Sequence, residues 1–208
     1  NEELIGQALK GRREKAILAT KFGIVWDTGG PSRGTSGEPS YVVKCCEDSL
    51  RRLDTDVIDL FYMHRMDPDT PIEDTVGALS RLIEQGKVRY LGLSECGADT
   101  LKRAHATHPI TALQTEYSLW SREPENEMIP LCRKLGIGYV AYSPLGRGFL
   151  TASVQSRDEL MEDDSRRNMP RFSDENFDLN KRLLKPLKEI SQEKECTPAQ
   201  IALAWVLA

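Results

Sequence analysis

"VIDLFYMHRMD", residues 57–67, reads as a strand built for burial that stops abruptly at ionisable groups. Val57, Ile58, Leu60, Phe61, Tyr62 and Met63 are the residue types that a strand covered on both faces uses. They run directly into His64, Arg65 and Asp67. A buried strand that ends in such a cluster predicts a sheet whose strand ends open on a functional site.

Working outward, apolar strands alternate with helical patterns. Residues 2–10 read as a helix, 15–22 as a strand, 23–40 as a Gly- and Pro-rich loop and 41–53 as a helix. After the strand at 57–63, Pro71-Ile72-Glu73 opens a helix that Gly86 closes. Strands are expected at 88–94, 110–116 and 137–142, with helices at 98–107 and 123–135. Two helices, about 174–194 and 198–207, end the chain, the second capped by Thr197-Pro198. No hairpin signal is read anywhere, so the order predicts a parallel sheet covered by helices.

Two architectures fit that order. An open dinucleotide-binding sheet would be expected to carry GxGxxG after a strand, and Gly146-Arg147-Gly148 lacks the third glycine. Lys21, His64, Ser94, Gln114 and Tyr142 each fall at the carboxyl end of a successive strand. In a (β/α)8 barrel those ends form the rim where active sites are built. The expected fold is therefore an α/β (β/α)8 TIM barrel.

Composition narrows the function. The 208 residues are 39% apolar and 29% charged with a net charge of −4, ordinary for a globular domain and without the basic excess of a nucleic-acid partner. No apolar run reaches membrane-spanning length and no signal-peptide pattern is present. Cys45, Cys46, Cys96, Cys132 and Cys196 are odd in number and form no CxxC pair, which points to free thiols in a reducing, cytoplasmic setting. His105 and His108 form an HxxH at a helix end with no third ligand nearby, so no metal site is expected. Bland readings stand beside the sharp ones. A lone lysine can snorkel and a lone histidine can cap a strand, but polar residues on four other strand ends favour function. The charged stretch 157–174 reads as a solvated loop that folds over the mouth.

"LATKFG" (18–23), "SLRRLDTDVIDLFYMHRMDPDTPIEDTVGAL" (49–79), "GKVRYLGLSE" (86–95), "QTEYSLWSREPE" (114–125) and "YSPLGRGFL" (142–150) together resemble the aldo-keto reductase family. The likeness is to its plant and bacterial branch, described as auxin-induced or perakine-reductase-like. The resemblance implies a barrel with NADP(H) at its carboxyl rim and hydride transfer to an aldehyde or ketone, giving an alcohol. Family chemistry uses an aspartate, a tyrosine, a lysine and a histidine. Lys21 and His64 match the last two, the lysine lowering the pKa of the tyrosine that donates the proton and the histidine orienting the carbonyl. Ser94 and Gln114 match residues that hydrogen-bond the nicotinamide carboxamide, and Tyr142 matches the aromatic on which the ring stacks. Ser143, Leu145, Gly146 and Arg147 match the segment around the pyrophosphate; Trp26 and Trp120 are expected as substrate-pocket walls.

Against the family pattern, the matching tyrosine and aspartate would precede Asn1, and the loop reading the 2′-phosphate would follow Ala208. Residues 1–208 are thus expected to form a single reductase domain shortened at both ends, about strands three to seven of eight, and to be inactive alone. The alternative is a catalytically silent truncated or regulatory barrel, a binding protein of the channel-beta-subunit kind. The expected partner is a small-molecule aldehyde or ketone.

Overall fold

A computed structural model describes residues 1–26 and 32–208. Helix α1 (Glu2–Leu9) precedes strand β1 (Ala19–Phe22), a short ribbon of β2 (Ile24–Trp26) and β3 (Ser32–Thr35), and helix α2 (Pro39–Leu53). Then β4 (Ile58–Met63), α3 (Ile72–Glu84), β5 (Val88–Ser94), α4 (Ala98–Thr107), β6 (Ala112–Glu116), α5 (Met128–Leu135) and β7 (Gly138–Tyr142) alternate. Helices α6 (Asp174–Lys181), α7 (Leu184–Glu193) and α8 (Pro198–Leu207) follow.

The main sheet has five strands in the order β1-β4-β5-β6-β7. The ladders β1–β4, β4–β5 and β5–β6 are parallel. A doubly wound sheet reverses its strand order at a switch point. Here the five strands of this sheet lie side by side in chain order, as in an arc of a (β/α)8 barrel.

Contacts divide the chain into two compact units, one of residues 1–115 and 125–140, the other of 116–124 and 141–208. In the first, side-chain alternation sorts each strand onto two faces. Phe22, Phe61, Met63, Leu91, Leu93 and Leu113 join Val42, Cys46 and Leu50 of α2, Val76, Leu79 and Leu82 of α3 and Leu101 of α4 in one buried cluster. Full burial of a side chain such as Phe61 contributes about 1.5–3 kcal/mol. On the opposite face, Lys21, Tyr62 and Gly92 share one level of the ladder. A Cβ on Gly92 would overlap the Tyr62 ring, so glycine is what lets that ring lie flat across the sheet. Below these, Asp59 of β4 is 4% exposed and ties the base of the sheet. It accepts from Leu18 N–H (2.8 Å), Arg13 (2.7 Å) and Arg89 (2.7 Å).

The second unit has its own core of Phe149, Leu150, Leu160, Phe172, Phe177, Leu184, Leu187 and Ala202. Trp120 stacks on Phe149 with ring centroids 4.3 Å apart and meets Phe172 edge-on at 5.8 Å.

Five expectations change. The segment 15–22 is a strand only from Ala19, because Arg13–Lys15 forms a 3-10 turn and the Arg13 guanidinium takes the carbonyls of Ala16 and Val57. The loop 23–40 contains an antiparallel ribbon, β2 against β3, despite the absence of a hairpin signal; its residues 27–31 lie outside the described residues. The helix expected over 123–135 is a 3-10 turn, Glu123–Glu125, followed by α5, and the one over 174–194 is α6 and α7. Both breaks have one cause: Pro130 and Pro186 lie third in the later helices and have no N–H to continue an earlier one. Stretch 157–174 is not a loose solvated loop. It makes three 3-10 turns, buries Leu160 and Phe172, and anchors the Leu160 carbonyl on Arg167 at 2.7 Å.

Candidate functional site

In the first unit the ladder decides which polar residues meet. Lys21 pairs in register with Tyr62, and His64, two residues on, projects from the same face one step beyond Met63. The His64 N–H donates to Phe22 O at 2.8 Å, which holds the strand end in line. Lys21 and His64 line one cavity of about 670 Å³ together with Glu2, Thr20, Trp26 and Arg52. Glu2 is fixed there by Thr20 Oγ1 and Arg52 Nε, each at 2.6 Å. Trp26 is 65% exposed and lines this cavity.

The electrostatics disfavour extra protons. Burial, and then the charge of Arg65, push Lys21 below the ordinary lysine value. Burial, followed by Arg65 and Lys21, pushes His64 below the ordinary histidine value. The Lys21 ammonium lies 5.7 Å from the centre of the Tyr62 ring, whose π face partly replaces lost hydration. His64 is therefore neutral at pH 7 and can both donate and accept a hydrogen bond.

Ser94 ends β5, is 1% exposed and sits in register with Gln114 of β6. Arg65 Nη1 reaches its hydroxyl at 3.4 Å. Arg65 is the residue that sequence reading passed over, although it stands in the opening stretch beside His64; its role depends on which strand its guanidinium reaches. Asp67, from the same stretch, is structural: it accepts from Gly37 N–H (2.8 Å), Thr70 Oγ1 (2.7 Å) and Asp69 N–H (3.0 Å). Cys46 and Cys96 are poor nucleophiles, with burial raising the first to about 11 and the second to about 12. His105 uses Nδ1 to accept the Ile110 N–H at 3.2 Å, a helix-end contact.

In the second unit, Tyr142 ends β7 and its carbonyl accepts the Tyr117 N–H at 3.3 Å. Ser143, Gly146, Arg147 and Gly148 all have positive φ, a path that turns the backbone tightly on itself. Gly146 is required twice over, since φ is +55° and an added Cβ would lie 2.8 Å from the Trp120 ring. Arg166 donates to the Arg147 carbonyl at 3.1 Å and fixes the turn. Arg166 and its backbone N–H also hold the Asp164 carboxyl down at about 2. Among the described residues the N–H groups of Leu145 and Arg147 have no carbonyl acceptor, so this concave turn offers donors to an anion. A cavity of about 390 Å³ borders it, lined by Trp120, Gly146, Arg147 and Arg171 among others. Trp120 therefore lines a cavity, but as part of the second unit's aromatic core.

No helix among the described residues is long and apolar enough to cross a membrane. The chain is 52% identical over 208 residues to "Probable aldo-keto reductase 1" of Glycine max, matching all of this chain and 60% of that protein. The glycerol dehydrogenase of Gluconobacter oxydans superposes with a TM-score of 0.91 at 30% identity, covering 99% of this chain and 64% of its own. An aldo/keto reductase of Klebsiella pneumoniae, solved with NADP and acetate, matches at a TM-score of 0.72 and 25% identity over 99% of this chain and 60% of its own. The chain thus spans about 60% of the length of these relatives. The family model for the aldo/keto reductase family matches residues 1–208. The chain belongs to the aldo/keto reductase family.

Proposed function

We propose that the protein is an NADP(H)-dependent reductase that converts an aldehyde or ketone into an alcohol, with residues 1–208 forming part of one reductase domain. The observation that carries this reading is the pairing of Lys21 and His64 on one sheet face, lining one cavity with both protonated forms disfavoured. A solvated surface lysine would show neither feature. When bound, NADPH supplies the hydride that reduces the carbonyl carbon.

The chain's own residues divide the remaining work. Neutral His64 holds the substrate carbonyl oxygen by a hydrogen bond and so sets its orientation. The Lys21 ammonium places positive charge where a phenol proton donor must become phenolate, lowering its pKa from about 10. Ser94 and Gln114 present a hydroxyl and an amide to the nicotinamide carboxamide. Tyr142 offers a ring for stacking; Ser143, Leu145, Gly146 and Arg147 offer N–H groups and a guanidinium to the pyrophosphate. The donor set of that turn fits a diphosphate, and the Klebsiella pneumoniae neighbour binds NADP. Trp26 and Trp120 are substrate-pocket walls in this reading. A cytoplasmic setting is part of it, supported by five cysteines that are all unpaired.

The test pairs binding with turnover. Lys21→Met is expected to lose most carbonyl reduction, while NADPH fluorescence titration gives a dissociation constant near the parent's. Turnover at the parent rate in Lys21→Met would overturn the catalytic assignment, and no NADPH binding by the parent would overturn the cofactor assignment. NADPH binding without turnover of any carbonyl is the outcome expected of the silent alternative.

A further inference from the structure

The inner face of the first unit's sheet carries positive charge that its neighbours do not answer. Lys21 stands on β1 level with Tyr62, and Met63 pairs with Leu93. His64 and Ser94 therefore lie side by side one step further along β4 and β5. Arg65 follows His64 and is half-buried. Its Nη1 donates to the His64 carbonyl at 2.7 Å and reaches Ser94 Oγ at 3.4 Å. Ser94 projects from the same face as Gly92, Tyr62 and Lys21, so this contact brings the guanidinium to that face. Lys21 thus stands on one side of His64 and the Arg65 guanidinium on the other.

Among the described residues, none of Lys21, His64 and Arg65 has an acidic partner. Elsewhere in the same unit Arg13 and Arg89 meet Asp59 at 2.7 Å, and Arg103 meets Glu73 at 2.6 Å. Glu2 and Glu3 line the cavity that Lys21 and His64 share, but Thr20 and Arg52 already engage the Glu2 carboxylate and Glu3 is exposed. After burial, the Arg65 charge is what lowers both Lys21 and His64, so it lies within electrostatic reach of each. Cations held together out of bulk water without a counter-ion are costly, and an anion settling beside them offsets that cost. The aspartate that the family pattern pairs with Lys21 would answer one charge and leave Arg65, beyond His64, without a partner. Among the described residues only Nη1 of Arg65 has an acceptor, so Nε and Nη2 remain for a two-point contact with a carboxylate.

We infer that the site is built for an oxo acid, whose carbonyl oxygen rests on His64 while its carboxylate is held by the Arg65 guanidinium. The inference rests on the reductase reading and names the substrate class of that same site. Neighbouring strands lie about 4.8 Å apart, so a carboxylate on the carbonyl carbon, or one carbon removed, spans from His64 on β4 to the guanidinium at β5. The oxo carbon gains hydride from NADPH and its oxygen gains a proton; the product is a hydroxy acid, the cofactor leaves as NADP+ and the carboxylate is unchanged. A bland alternative uses the same contacts: Arg65 caps the strand end through the His64 carbonyl and touches no substrate.

The intact protein is assayed with pyruvate and with its neutral methyl ester, and the two kcat/KM values are taken as a ratio. Arg65→Gln is expected to lower the acid-to-ester ratio about tenfold to a hundredfold, the loss of hydrogen bonds to a charged group. Arg65→Lys keeps the charge without the fork and should fall between the two. A strand-end cap would slow both substrates together, and a ratio that Arg65→Gln leaves unmoved overturns the inference. A guanidinium that serves the cofactor would instead weaken NADPH in fluorescence titration at an unmoved ratio, which overturns it equally. Calorimetry with oxamate, which carries the carboxylate beside a carbonyl that is not reduced, separates this inference from the reading beneath it. Oxamate binding that weakens at least tenfold in Arg65→Gln, with neither pyruvate nor ester turned over, leaves oxo-acid recognition standing and fails the reductase reading. A parent that reduces the ester but binds no oxamate fails the inference alone.

Discussion

Removing the Asp59 carboxylate tests how the sheet is anchored. In Asp59→Ala, Leu18 N–H loses its acceptor (2.8 Å) at a residue only 5% exposed, and stranding a buried donor costs about 1–3 kcal/mol. Arg13 loses a bond but keeps Ala16 O (2.8 Å), Val57 O (2.8 Å) and Thr55 Oγ1 (3.2 Å), so its share is about 1 kcal/mol or less. Arg89 is 61% exposed and its pairing is screened by water, adding little. The sum is about 1–4 kcal/mol. With a urea slope of about 2 kcal/mol per molar, the unfolding midpoint of the first unit falls by about 0.5–2 M, and hydrogen exchange at the Leu18 amide accelerates. The pH dependence has a definite sign. Burial alone would raise the Asp59 pKa, but Leu18 N–H, Arg13 and Arg89 outweigh it and the net shift is downward. The unfolded chain therefore binds this proton more tightly, so the stabilisation is present above the ordinary carboxylate value near pH 4 and is lost on acidification. Asp59→Ala should flatten the parent's loss of stability below that pH. A midpoint within about 0.25 M of the parent, with the same acid limb, would refute the anchoring role.

His64, titrated through its ring proton by NMR, should show a midpoint below the ordinary histidine value of about 6.5, and Arg65→Gln should raise it by removing one neighbouring cation. Because the unfolded chain takes this proton more readily, His64 costs stability as pH falls below that value; a midpoint at or above 6.5 would contradict the site electrostatics. Gly146→Ala forces a Cβ to within 2.8 Å of Trp120 at a φ of +55°, and a loss of about 1–3 kcal/mol is expected in thermal unfolding with a changed tryptophan emission. A melt and emission spectrum matching the parent's would show that the turn and ring readjust at no cost.

Much of the architecture was legible because burial writes itself into sequence. A strand such as 58–63 is apolar on both faces, and the caps at Thr197-Pro198 and Gly86 are local hydrogen-bond chemistry, so the β/α alternation and several element limits followed from the residues alone. The residues at strand ends pointed to Lys21, His64, Ser94 and Gln114 for the same reason: a polar group that ends a buried strand must have somewhere to go. The short ribbon β2–β3 escaped notice, since its register is bulged and Ser32–Thr35 carries no apolar alternation. The two helix breaks were in fact written in Pro130 and Pro186, which act on the carbonyl four residues earlier and so mark a boundary away from themselves. Sequence by itself determined which residues seek burial and which local turns they can make. Only the tertiary structure decided which side chains share a face: that Tyr62 lies under Lys21 across Gly92, that Arg65 reaches Ser94, and that Arg171 returns to Trp120 and Glu116. Such pairings depend on ladder register and on long-range packing, and residues dozens of positions apart leave no periodic trace of them in the chain.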